Sequence, residues 1–320
     1  MPRRNLAALC VAALLTAPAA LAQTVGIGAT STAYTAQASA AISKVVSENA
    51  GIQMRVQPHG GTSAYVPSVN QGTLEFGLAN ELESLYAVTG TGIYKDRPQP
   101  NLRVITVLTP FASGIYVRKD SSIHTLNDLK GKRVPSGWAS QKIIGVLMDG
   151  ALATAGMTMK DVEAVPVPNV VKGADDFAAG RTDAFFFAVG AGKVREVDAK
   201  VGGIRALPIE TSPEAIAAMR KHVPPAYAKV FNPSKIAVGV EKPTALMAYD
   251  YLMLGNDKVS DDVVYRIVKA LHDNKKLLAA SFPALGQFNP DHMARTFEGG
   301  LRYHTGAIKY YKEIGQWPPK

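Results

Sequence analysis

Residues 24–57 read TVGIGATSTAYTAQASAAISKVVSENAGIQMRVQ, and this stretch decides the fold. Thr24–Gly28 is a short apolar run. Ala38, Ala41, Ile42, Val45 and Val46 follow at helical spacing and give one buried face. Ile52–Gln57 then alternates apolar and polar residues like a strand. A strand, a helix and a strand in so short a span form a βαβ unit, because two parallel strands need a crossover between them.

The same alternation continues outward. Gly60-Gly61-Thr62-Ser63 leads into a short helix ending near Gly72, Glu75–Ala79 is a third strand, and Asn80-Glu81 opens another helix before the strand Leu102–Leu108. Such a series implies a parallel sheet covered on both faces. The pattern restarts after Tyr116. Thr125–Gly131 reads as a capped turn closed by glycine, and Lys132–Ser136 as a strand. Ile144, Leu147, Met148, Ala151, Leu152 and Ala155 make an amphipathic helix ended by Gly156. Val162–Val167, Asp183–Val189 and Gly203–Ile209 read as strands, with a helix over Val170–Ala179. Two α/β units therefore stand in tandem. Further on, Ser260 caps a helix with Asp261 and Asp262 in its first turn and Lys275-Lys276 at its negative end. Asn289–Phe297 and Gly306–Gly315 read as helices and Lys235–Val240 as a strand; Ala245–Leu254 suits either state.

The chain has 320 residues, which favours two compact units at about 150 residues each. Hydrophobic residues at 47% and charged residues at 19% exclude a disordered tail, a collagen or a coiled coil. The net charge of +9 comes from scattered basic residues, and no zinc, RNP or basic-helix motif accompanies it, so nucleic-acid binding is disfavoured. At the N-terminus, Arg3-Arg4 precedes an apolar run from Leu6 to Leu15, and Ala20-Leu21-Ala22 follows. This three-part pattern is that of a secretory signal peptide over residues 1–22, cleaved after Ala22; a retained anchor is the alternative. Cleavage removes Cys10, the only cysteine, together with two arginines, so the charge falls from +9 to +7. An exported, cysteine-free chain suits the bacterial periplasm, where nothing can mispair.

Ligands of parallel α/β sheets sit outside the carboxyl ends of the strands, against helix N-termini. Four strand-to-helix loops carry small or polar residues there: Ala29–Tyr34, His59–Ser63, Ser136–Gln141 and Ala188–Gly192. If the two units face each other, the four loops meet in one cleft, and several helix starts together hold a small carboxylate. Singly, each Ser or Thr is better read as an ordinary cap. Tyr34 and Trp138 stand out as aromatic residues that suit either a ligand or their own domain's packing, and Asn80 as a turn residue or a ligand contact. Catalytic patterns are weak. No complete dinucleotide fingerprint, P-loop or nucleophile elbow occurs, and the six histidines lack metal-ligand spacing. No catalytic residue, metal ligand or cofactor is expected.

Several of these motifs resemble one family. Gly26-Ile27-Gly28 with Thr30–Tyr34, the Gly60–Ser63 run, Asp128-Leu129-Lys130-Gly131-Lys132-Arg133-Val134, Gly180–Phe186 and His304–Gly315 are similar to the TAXI family, the periplasmic substrate-binding subunits of tripartite ATP-independent (TRAP) transporters. The resemblance spans the mature chain. It implies a type II periplasmic binding-protein fold: α/β, with two lobes, each a mostly parallel sheet flanked by helices, and a ligand cleft between them. It also implies a small organic anion as ligand, either an amino acid such as glutamate or a dicarboxylate, and TRAP-type permease subunits as partner. On this reading one lobe is 23–114 plus 250–320 and the other 115–249, with crossings near Phe111–Val117 and Ala245–Leu254. The expected ligand contacts are Thr30, Ser31, Tyr34, Gly61, Thr62, Asn80, Ser136, Trp138, Ser140, Gln141, Phe187 and Gly190. A binding subunit of an ATP-driven importer shares the fold, and a secreted α/β enzyme is the remaining class.

Overall fold

A computed structural model describes residues 23–30, 34–297 and 299–319; the signal-peptide segment and Ser31 lie outside the described residues. The opening series is β1 (Gln23–Thr30), α1 (Tyr34–Asn49), β2 (Ile52–His59), α2 (Thr62–Gln71), β3 (Phe76–Asn80) and α3 (Glu81–Thr89). β1 pairs in parallel with both β2 and β3, as a βα series requires. Next comes β4 (Leu102–Arg118), a single strand of 17 residues.

The second series is β5 (Arg133–Gly137), α4 (Ile143–Ala153), β6 (Glu163–Val167), α5 (Val170–Ala178), β7 (Ala184–Ala188), α6 (Gly192–Val201), β8 (Ile204–Leu207), α7 (Pro213–His222) and β9 (Tyr227–Phe231). The chain then returns through β10 (Thr244–Asn256) to α8 (Asp261–Asp273), α9 (Lys275–Ser281) and α10 (Thr305–Glu313).

β4 and β10 join the two α/β lobes. Leu102–Thr109 of β4 pairs antiparallel with Tyr251–Asn256 of β10, whose other edge pairs with β3. Beyond Ser113, β4 exchanges partners and pairs with β7 and β8, while Thr244–Ala248 pairs with β9. The two strands therefore enter the second lobe as one antiparallel pair. β5 and β6 form a separate parallel pair there.

The core follows the sequence pattern. Val263, Val264, Ile267, Val268 and Leu271 are the buried face of α8, whose Ser260 side chain accepts a hydrogen bond from Val263 N–H. Several of the motif residues prove to be scaffold. Thr125 and Asp128 form a reciprocal capping box. Arg133 and Asp183 make an ion pair of 2.6 Å that ties the starts of β5 and β7. Tyr311 donates to Ile105 O (2.6 Å), docking α10 on β4, and a side chain at Gly306 would strike the backbone of Asp261.

Three expectations need correction. Lys235–Val240 is a series of turns, because the Gly239 carbonyl accepts from Ala206 N–H outside any ladder; the strand is β9 instead. Asn289–Phe297 holds only the short 3-10 turn Pro290–His292, since the Met293 carbonyl is taken by Val107 N–H of β4. Lys275 begins α9 rather than ending α8. The segment 245–254, open between helix and strand in the sequence, is strand.

Candidate functional site

At the carboxyl ends of β1, β3 and β7, between the lobes, lies a cavity of about 40 Å³. That is room for roughly three water molecules, so the two walls stand close together. Tyr34 and Thr35 at the start of α1, Thr62 at the start of α2 and Asn80 at the end of β3 form one wall. Gln141, Ile143, Ile144 and Val170, at the starts of α4 and α5, form the other with Phe186–Ala188 of β7. The crossing strands give the floor: Phe111 and Ser113 from β4, Tyr249 and Tyr251 from β10.

The floor is an aromatic cluster. The Tyr34 ring meets Phe111 edge-on at 4.6 Å and Tyr251 at 5.0 Å, and Phe111 lies 4.7 Å from Tyr251. Edge-to-face pairs of this kind add roughly 0.5–1.5 kcal/mol beyond area burial. Two of the cluster's hydroxyls are paired: Tyr34 with Thr109 Oγ1 at 2.8 Å and Tyr249 with Ser113 Oγ at 2.6 Å. Burial pushes the Tyr34 hydroxyl up to about 12, with Thr109 opposing, so it stays a neutral hydrogen-bonding group.

The polar side chains are held from behind. Asn80 caps α3, its Oδ1 accepting from Glu83 N–H at 2.8 Å. Gln141 Oε1 accepts from Val170 N–H at 2.9 Å, satisfying the first donor of α5. Thr62 donates to Glu83 Oε2 at 2.6 Å. Glu83 is fully buried, and burial raises its carboxyl while hydroxyls of Thr62, Ser63 and Tyr94 oppose the rise. Sequence reasoning missed Glu83, because nothing in its local pattern distinguishes it from any first-turn carboxylate.

The two lobes touch at Gly61. A Cβ there would lie 2.8 Å from the Ser140 carbonyl carbon and 2.5 Å from Gln141 Cγ. Only a residue without a side chain lets the start of α2 approach the loop before α4 this closely. That loop is shaped by Gly137 and Trp138, with φ of 79° and 48°. The left-handed region is unfavourable for a bulky residue, at about 1–2 kcal/mol. The Trp138 turn is held by Trp138 N–H to Ser136 O and Gln141 N–H to Trp138 O, both 2.9 Å. The strained turn thus directs Ser140 and Gln141 at Gly61.

Of the expected contacts, Tyr34, Thr62, Asn80, Gln141 and Phe187 line the cavity. Gly61 and Ser140 form the closing contact beside it. Thr30 stands behind Thr35, with hydroxyls 2.7 Å apart. Three others neither line the cavity nor back it. Ser136 is on β5, and Trp138 turns its ring inward against Gly145 and Gly173. Gly190, at φ 82°, faces Ile236. The sequence missed Phe111, Ser113, Tyr249 and Tyr251, which sit mid-strand and reach the site only because β4 and β10 cross. Phe186 and Val170 lay unmarked beside chosen residues.

Among the described residues no group of His, Cys, Asp and Glu is placed to hold a metal, and no helix is long and apolar enough to cross a membrane.

The model of a family described as the NMT1-like family matches residues 24–315. Among solved structures, the chain is similar to a protein described as a periplasmic transporter, at 17% identity and a TM-score of 0.59, covering 93% of this chain and 94% of that one. It is also similar to PhnD1 from Prochlorococcus marinus in complex with methylphosphonate, at 14% identity and a TM-score of 0.57, covering 92% and 97%. A third is the periplasmic binding protein BugD, at 12% identity and a TM-score of 0.56, covering 92% and 95%. At these identities the likeness is one of fold.

Proposed function

We propose, since the chain belongs to the NMT1-like family, that it is a periplasmic solute receptor that captures a small organic acid by lobe closure and delivers it to a membrane importer. The observation that carries this reading is the cavity itself: both lobes and both crossing strands line it, and it is shut where Gly61 meets Ser140 and Gln141. A guest touching both walls stabilises the closed state, which is what domain closure requires. We assign residues 23–114 plus 250–320 to one lobe and 115–249 to the other; the exchange of partners along β4 supports the boundary. The starts of α2 and α4, which border the cavity, have no side-chain caps, so their N–H groups suit a carboxylate. Binding occurs without catalysis, and export through the cleaved segment 1–22 places the receptor in the periplasm.

Native mass spectrometry of protein from its own host, followed by isothermal titration with the compound found, tests this. A bound organic acid recovered unchanged supports the receptor. Failure of every organic acid and amino acid to bind, or product formed from the compound, overturns it. For the importer, a TRAP-type permease rests on the motif resemblance, and an ATP-driven importer, whose binding subunits share the fold, is the second reading. Uptake into vesicles that requires ATP selects the second; uptake driven by an ion gradient alone selects the first.

A further inference from the structure

The hydrogen-bond polarity of the cavity wall is fixed by groups behind it. A threonine has one hydroxyl proton, and the Thr62 proton goes to Glu83, 2.6 Å away. Towards the cavity Thr62 therefore offers only lone pairs. In Asn80 and Gln141 the amide oxygens accept from backbone N–H groups of Glu83 and Val170. An amide NH2 cannot accept, so these bonds fix the orientation of both side chains and leave Nδ2 and Nε2 as the groups that meet a guest. These three side chains thus present one acceptor and two sets of donors, one set from each lobe.

The charge is equally constrained. No Lys, Arg or His lines the cavity among the described residues, and the undescribed Ser31-Thr32-Ala33 carry no charge either. The buried carboxyl behind Thr62 accepts hydrogen bonds from neutral hydroxyls only: Thr62, Ser63 at 2.7 Å and Tyr94 at 3.2 Å. A second carboxylate brought beside it would be a buried charge without a counter-ion, which is costly. A guest that carries its own cation avoids this cost. Apart from the neutral hydroxyls of Tyr34, Thr35, Ser113, Tyr249 and Tyr251, the rest of the lining, Ile143, Phe186 and Phe187 included, is apolar.

Within the receptor reading above, on which this rests, we propose that the cavity selects a small solute of no net charge, an apolar α-amino acid, over dicarboxylates and acidic amino acids. Its ammonium donates towards Thr62, its carboxylate accepts from the Asn80 and Gln141 amides, and its side chain packs on the Phe186–Phe187 side. Glu83 acts as a positioning residue through Thr62.

Isothermal titration of the mature chain with alanine, valine, leucine, glutamate, succinate and butyrate tests the proposal. The expected result is that at least one of the three apolar amino acids binds roughly tenfold or more tighter than glutamate, succinate and butyrate. In Glu83→Gln that preference over butyrate shrinks, because Thr62 is no longer held as an acceptor. Glutamate or succinate binding as tightly as the best apolar amino acid overturns the proposal while leaving the receptor reading standing; no binding by any of the six, with a different acid found by native mass spectrometry, does the same. The wild-type panel decides alone if Glu83→Gln fails to fold. In a folded Glu83→Gln, an unchanged preference over butyrate overturns the role of Glu83.

Discussion

The two faces of β10 differ sharply at consecutive residues. Tyr249 and Tyr251 face the cavity between the lobes, whereas Asp250 between them lines a groove of about 510 Å³ behind the crossing strands. The front is neutral and aromatic, with the Tyr34 and Tyr249 hydroxyls each paired to another hydroxyl. The rear is charged: Arg295 pairs with Glu81 and, at 3.1 Å, with Asp250, and Tyr227 donates to Asp250 at 3.4 Å. Burial and the Asp250 charge push the Tyr227 hydroxyl up to about 12. The lesson is one of dielectric. Ion pairs sit where water reaches them, and the front face holds none of them among the described residues.

The comparison can be broken from either side. The largest expected effect is at the front. Gly61→Val places a side chain against the Ser140 backbone and holds the lobes apart. Ligand affinity should fall on the order of 100-fold, with the ligand-free melting temperature near that of the parent. An unchanged dissociation constant would remove Gly61 as the closing contact. At the rear, Arg295→Met takes the cation from Asp250 and Glu81 and should cost roughly 1–3 kcal/mol in urea unfolding. If instead it left stability intact and abolished binding, the division between the faces would fail. Tyr249→Phe removes the bond to Ser113 and should cost about 1 kcal/mol.

The smallest effect serves as a control away from both faces. The Arg133 guanidinium holds the Asp183 carboxyl below its ordinary 3.8. A carboxyl depressed in the folded state contributes stability that is complete above the unfolded value and lost as pH falls through the folded one. Asp183→Asn should therefore lower stability by less than about 1 kcal/mol at pH 7, the pair being partly exposed. The difference from the parent should shrink as pH falls below 3.8 and vanish once the folded-state carboxyl, depressed below that value, is protonated. Urea midpoints at several pH values check this, and a difference that persists at the acid end contradicts it.

The sequence showed most clearly what local periodicity encodes. The α1 and α8 faces and the order of the βα series are visible in spacing alone, because each element buries its own stripe. The segment 245–254 was ambiguous because its strand state depends on β3 and β4, far away in the chain. Of the site, Gly61 and Thr62 were legible as a small polar loop opening a helix. That Gly61 exists to admit Ser140 was not, since a long-range contact leaves no local trace. Trp138 misled for a related reason: an aromatic residue in a polar loop suggests a ligand contact, but a left-handed backbone turns its ring into the lobe.

The path of β10 also bears on how the chain reaches its native state. β3 is paired on one edge by β1 and on the other only by Tyr251–Gly255, so the central sheet has a gap until the strand more than 160 residues downstream arrives. Closing so long a loop is entropically slow. Until then the hydrophobic strand Phe76–Asn80 has a bare edge, and refolding at low protein concentration should outpace aggregation there.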